Sequence, residues 1–225
     1  MDYNYIIKFL EANYNETNRQ GMARFGINVS RAVGVSISQL RPLAKEIKKN
    51  HPLALLLWKS GIHEARLLAA LIADSGMLTE ETMEEWVKDF NSWDIVDITC
   101  MHLFDRSPLG IKKALEWVER EEEFVKRAGF TILAATAVHD KKRDDQDFVP
   151  FLNIIEMKAD DSRNFVKKAM NWALRQIGKR SHFLRDEAIK TAARIVTHDS
   201  KAAQWIARDA LRELNDPNII ERIKR

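Results

Sequence analysis

Two patterns in this chain set aromatic rings and charges at helical spacing. The first lies in NSWDIVD, residues 91–97, and its continuation, where Trp93, Asp97, Cys100 and Phe104 fall at i, i+4, i+7 and i+11. If a helix begins near Asn91 or Ser92, these four residues share one stripe. An ionised carboxylate on an apolar stripe is costly unless paired. Asp97 therefore reads in three ways: a cap for a helix starting at Ile98, half of an ion pair, or a functional charge beside the flat surface of Trp93. Asp94 competes with it as the first-turn acid.

The second pattern lies in the helix expected over 165–178. Lys168, Trp172, Arg175 and Lys179 repeat the same spacing and fall within about 60° of one another. Val166, Ala169, Met170, Ala173 and Ile177 form a separate apolar face, the expected core side. Trp172 therefore stands among cations. A ring in that position can stack on a base or lie against a sugar while Lys and Arg hold phosphates. The competing reading is a Trp covering a helix seam among solvated lysines. Arg127 is the third candidate. Thr131 and Ala134, its neighbours at i+4 and i+7, are small and leave room for a partner, and the acidic EREEE turn before it could instead pair with it.

Other chemistry finds no support. His63-Glu64 begins like a zinc-protease motif, but Leu67 stands where the second ligand belongs, and the remaining histidines show no ligand spacing. There is no Gly-rich phosphate loop and no Gly-x-Ser-x-Gly element, and Cys100 has no recognisable catalytic setting. The sequence thus predicts no metal and no cofactor.

The elements that must position these residues read as helices. The chain has 225 residues, with 8 Gly and 5 Pro, and recurrent i, i+3, i+4 apolar spacing without alternating runs. Ser36 with Gln39 forms a capping-box pattern, Thr79 opens an acidic first turn, Asp161 or Ser162 opens a further helix, and Asp199 or Ser200 opens the last, which Pro217 stops. HDKKRDDQD, residues 139–147, reads as an exposed loop. EARLLAALIA, VKRAGFTILAA, VKKAMNWALRQ and WIARDALREL share a cation followed by small and aliphatic residues, as stacked helix pairs do. Net charge is only +3, yet residues 163–185 carry seven Lys or Arg and no acid, so one basic surface is possible. A single cysteine points to a reducing compartment. The first residues lack the pattern of a secretion signal, and no apolar run reaches membrane-spanning length. A cytoplasmic location is expected.

SWDIVD, FVKRAGF and SRNFVKKAMNWALRQIGKR, in this order, resemble the AlkD-like family of DNA alkylation repair glycosylases over roughly residues 15–215. The resemblance implies an all-α, HEAT-like helical-repeat solenoid with a concave basic face, here taken as a single domain over 1–225. It implies that the catalytic acid matches Asp97, that Trp93 and Trp172 flank the deoxyribose, that Arg127 grips a phosphate, and that Arg175 also contacts DNA. Lys168, Lys179 and Arg180 are the further expected DNA contacts. The implied reaction is hydrolysis of the N-glycosidic bond of a cationic alkylated purine, N3-methyladenine or N7-methylguanine, left stacked in double-stranded DNA, by a protein expected to be monomeric. Two alternatives stand beside it: a non-catalytic solenoid that binds bent or branched DNA, and a protein-binding scaffold.

Overall fold

The computed structural model describes residues 1–223, and every regular element among them is helical. The chain folds as two compact units that divide at Gly110. The first contains α1 (Tyr3–Ala12), α2 (Glu16–Arg24), α3 (Ile37–Ile47), α4 (His51–Lys59), α5 (His63–Ile72), α6 (Glu80–Lys88) and α7 (Trp93–His102). The second begins with α8 (Gly110–Trp117) and continues through α9 (Glu123–His139), α10 (Val149–Lys158), α11 (Asn164–Gly178), α12 (His182–Ile195), α13 (Lys201–Leu214) and α14 (Pro217–Arg222).

Helix starts follow side-chain acceptors. Asn15, Asn50, Thr79, Ser181 and Ser200 each accept from a backbone amide three residues on, and Ser36 with Gln39 makes the expected capping box. Two boundaries differ from the sequence reading. α11 begins at Asn164 with Arg163 at the cap position, one residue past Ser162, and the Asp161 carboxylate accepts from the Arg163 amide just before it. Pro217 does not end the helical structure. It sits at N1 of α14, where a missing N–H costs nothing, behind the Asp216 cap.

Packing within each unit joins helices to their neighbours in sequence and to helices two places away, as stacked helix pairs require. In the first unit α5 packs on α3, α4 and α7; in the second α11 packs on α9 and α13, and α12 on α10. The helices in the middle of these rows have little polar face left. On α9 every residue from Val125 to Ala137 is buried, which explains its run of Ala, Gly and Thr. A Cβ on Gly129 would come 2.8 Å from the Ala114 carbonyl oxygen and the Val118 amide, so the glycine permits backbone contact between α8 and α9. The first unit is anchored by stacked Trp58 and Trp86, whose ring centroids are 3.9 Å apart, with Phe90 and Phe104 beside them.

Candidate functional site

In the first unit the site is built on the start of α7. Ser92 is the N-cap residue, Trp93 the first helical residue and Asp94 the first-turn acid. Asp97 lies inside the helix, so it does not cap a helix starting at Ile98. Cys100 and Phe104 are fully buried, whereas Trp93 and Asp97 are partly exposed. The stripe thus runs from core to solvent, and its carboxylate sits at the transition.

Neighbouring groups fix the pose of this helix start. The Asp94 carboxylate meets His63 Nε2 at 2.8 Å, which ties α7 to α5. This is the work of the histidine that superficially began a zinc motif. The Ser92 hydroxyl accepts from the Asn28 amide at 3.0 Å instead of capping its own helix, and the Trp93 indole donates to the Phe25 carbonyl at 3.0 Å. Both partners lie on the connection between α2 and α3. That connection is clamped in turn by Glu64 of α5, fully buried, whose carboxylate accepts from the Val33 and Gly34 amides at 2.9 and 2.7 Å. Gly34 needs its glycine: φ is +83°, and a Cβ would lie 2.2 Å from the Asn15 carbonyl oxygen. Trp93 borders an open groove of about 660 Å³ whose other walls include Met22, Phe25, Ile27 and Val35. Phe25 is 76% exposed and α2 buries no residue at all, features a search for charged stripes does not find.

In the second unit the expected stripe is present on α11. Lys168 is exposed, and Trp172, Arg175 and Lys179 are half-buried. The core face is the one expected, with Val166, Ala169, Met170, Ala173 and Ile177 buried. Trp172 donates its indole N–H to the Gln176 amide oxygen at 2.9 Å in the amide orientation that satisfies both groups, which fixes the ring along the helix. Arg175 and Lys179 both reach Glu213 of α13, Lys179 Nζ at 2.5 Å, and Arg175 Nε lies 3.8 Å from Asp209. Burial pushes the Glu213 carboxyl up, but the hydrogen bonds from Lys179 and Arg175 outweigh it and hold the group below its ordinary value.

Arg127 is buried on α9 and donates through Nη1 to the Phe165 carbonyl at 2.7 Å. It therefore braces the entry to α11. The acidic turn before α9 is answered in part by Lys126, which lies 3.5 Å from Glu121 and 3.6 Å from Asp161, and by Arg163, which donates to the Glu121 carbonyl.

Arg180 departs from expectation. α11 ends at Gly178, and the chain turns through Lys179 before Arg180. Its side chain is 1% exposed, donates to Asp145 at 2.9 Å and to the Ala137 and Arg143 carbonyls at 3.1 and 2.6 Å, and lies 4.5 Å from the Phe148 ring centroid. A guanidinium with those partners is a strut for the 139–147 segment. The same bonds make that segment a fastened turn.

Among the described residues no group of three or more His, Cys, Asp or Glu side chains is arranged to hold a metal, and no helix is long and apolar enough to cross a membrane.

The helical architecture has a counterpart among known proteins. A solved structure of a protein from a family related to the HEAT-like repeat DNA glycosylases, with affinity for branched DNA structures, matches with a TM-score of 0.76. It is 23% identical, and the match covers 94% of this chain and 95% of that one. The fold is accordingly an all-α, HEAT-like helical repeat. No curated protein matches the chain. The family model described as DNA alkylation repair enzyme matches residues 6–214, and the protein belongs to that family.

Proposed function

We propose that the protein is a monofunctional DNA glycosylase for cationic alkylated purines, with Asp97 as the electrostatic catalyst. The observation that carries this reading is the placement of Asp97: a carboxylate within α7, partly exposed, one turn from an indole fixed by its own hydrogen bond. Asp94 already fills the first-turn and ion-pair roles through His63.

The chemistry asks for little beyond such a charge. N3-methyladenine and N7-methylguanine carry a positive charge on the base, so the base departs with the electron pair of the C1′–N bond and becomes neutral. The deoxyribose gains oxocarbenium character as that bond breaks. Asp97 stabilises this charge and accepts a proton from the water that adds to C1′, leaving an abasic site and the free base. In the first unit Trp93 gives the sugar a flat surface beside Asp97, and in the second Lys168, Arg175 and Lys179 around Trp172 hold the backbone of double-stranded DNA. Arg127 acts in this scheme by fixing the start of α11, and through it the pose of Lys168 and Trp172, as well as by its charge. The lesion stays in the duplex and is selected by its own positive charge, so no deep base pocket is required.

A second reading is binding without catalysis, and the affinity of the matched solved structure for branched DNA favours it. Measuring release of N7-methylguanine and N3-methyladenine from methylated duplex DNA, wild type against Asp97→Asn, separates the two. Release that depends on Asp97 supports the glycosylase. Wild-type protein that binds DNA and releases no base supports the binder.

A further inference from the structure

The stripe on α11 is repeated, in register, on α13. Lys168, Trp172, Arg175 and Lys179 are followed 33 residues later by Lys201, Trp205, Arg208 and Arg212, again at i, i+4, i+7 and i+11. The second set lies on the side of α13 turned from its buried residues, Ala203, Ala207, Ala210 and Leu214, by roughly half a turn. All four side chains are exposed, Trp205 to 40%.

The two stripes are not electrostatically equivalent. On α11 the distal cations are engaged by Glu213. On α13 the acids Asp209 and Glu213 both reach Arg175 on α11, and among the stripe cations only Arg212 pairs with one of them, Asp209. Arg208 donates to the Gln204 amide at 3.3 Å, and among the described residues no carboxylate pairs with it or with Lys201. Lys167 adds a cation from α11, its ammonium lying 5.4 Å above the Trp205 ring. An exposed indole thus sits among four cations, Lys201, Arg208, Arg212 and Lys167, with the Lys167 ammonium over its ring.

We propose that the α13 stripe is a second nucleic-acid site, one that takes an unpaired strand. Lys201, Arg208 and Arg212 hold its phosphates and a base stacks on Trp205. The proposal rests on the DNA-binding reading above and deepens it. The charge row, about 16 Å from Lys201 to Arg212, suits a polyanion. The ring decides the form of that polyanion. Bases inside a duplex are already stacked on their neighbours, so an indole on an exposed helix face stacks on a base where the strand has left the duplex. The substrate would then be DNA with a fork, a flap or a gap beside the damaged or bound segment.

The test is equilibrium binding to a dye-labelled blunt duplex and to the same duplex carrying one single-stranded arm. Wild-type protein should prefer the forked DNA. Trp205→Ala should lose about tenfold on the fork and less than twofold on the duplex, and Trp205→Phe should keep most of the preference. The triple variant Lys201→Gln, Arg208→Gln, Arg212→Gln should lower the slope of log affinity against log salt on the fork by about 2. Thermal melting checks that these exposed substitutions leave the fold intact. Equal affinity of wild type for both DNAs overturns the proposal, as does a Trp205→Ala loss that is the same on both. Base release keeps the two readings apart. Trp205→Ala should release base from blunt methylated duplex at the wild-type rate, and Asp97→Asn should keep the fork preference. A Trp205-dependent fork preference without base release upholds this site and refutes the glycosylase.

Discussion

The charge on Asp97 gives a prediction whose size can be worked out. α7 holds Asp97 on its partly exposed side, so the effective dielectric around it is that of a protein surface, about 20 to 40, rather than that of an interior. A full positive charge developing about 4 Å from the carboxylate is then stabilised by about 2 to 4 kcal/mol. Asp97→Asn keeps the shape and removes that charge, which corresponds to a fall in base release of roughly 30- to 1000-fold. The expectation is for single-turnover release of N7-methylguanine from methylated duplex, with enzyme in excess so that product release does not intervene. Affinity for undamaged duplex should change little or rise slightly, because the lost charge repels phosphates. Stability separates the functional reading from a structural one. Asp97→Asn keeps the shape of the side chain, so the variant should melt close to the wild-type temperature while base release falls. Asp97→Asn with wild-type release would refute the catalytic assignment. A sharply lower melting temperature would return Asp97 to an ion-pair role.

Glu213→Gln frees Arg175 and Lys179 from their shared carboxylate, so duplex affinity at low salt should rise about three- to tenfold, read by the same binding assay. Because the Glu213 carboxyl is held below its ordinary value, its stabilising contribution is complete above about pH 4.3 and is lost as pH falls through the folded-state value. The melting-temperature gap between wild type and Glu213→Gln should therefore close on acidification. Glu64→Ala leaves the Val33 and Gly34 amides without their acceptor and should cost about 3 kcal/mol in denaturant melts, with base release lowered further because the connection that fixes Trp93 and Ser92 loosens. Gly129→Ala brings a methyl against the Ala114 carbonyl and Val118 and should destabilise by about 1 to 3 kcal/mol or more, measured the same way.

Much of the helical frame was legible because its signals are local. The capping residues Ser36, Thr79 and Ser200 mark helix starts through bonds that span three residues, and apolar periodicity on α11 marked Val166, Ala169, Met170, Ala173 and Ile177 of a buried face that also takes in Asn171, Leu174 and Gly178. The candidate site was legible in part for the same reason, since Trp93 with Asp97 and Lys168 with Trp172 are one-turn neighbours. What escaped depends on partners distant in sequence. Glu64 looks like half of a broken zinc motif until the Val33 and Gly34 amides, about thirty residues away, turn out to be its partners. Asp94 and His63, Arg127 and Phe165, and Arg180 and Asp145 are likewise pairs that no helical periodicity could join.

The basic run 163–185 makes the point most sharply, because one stretch of like charge divides into different roles. Arg163 is held by Asp161 at the head of α11, and Arg180 is buried against Asp145 and Phe148 just past its end. Both brace the helix from outside its periodic part. Between them, Lys168 stays exposed and Arg175 and Lys179 share one carboxylate. The net charge of the run therefore overstates what DNA can use, and the usable cations are those whose acids are few, shared or absent. By that measure the α13 stripe, whose Lys201 and Arg208 have no acid partner among the described residues, is a better electrostatic surface than its place outside the basic run suggested. Charge counted along a sequence locates a helix worth inspecting. Charge counted after pairing decides which of its residues remain available to a phosphate.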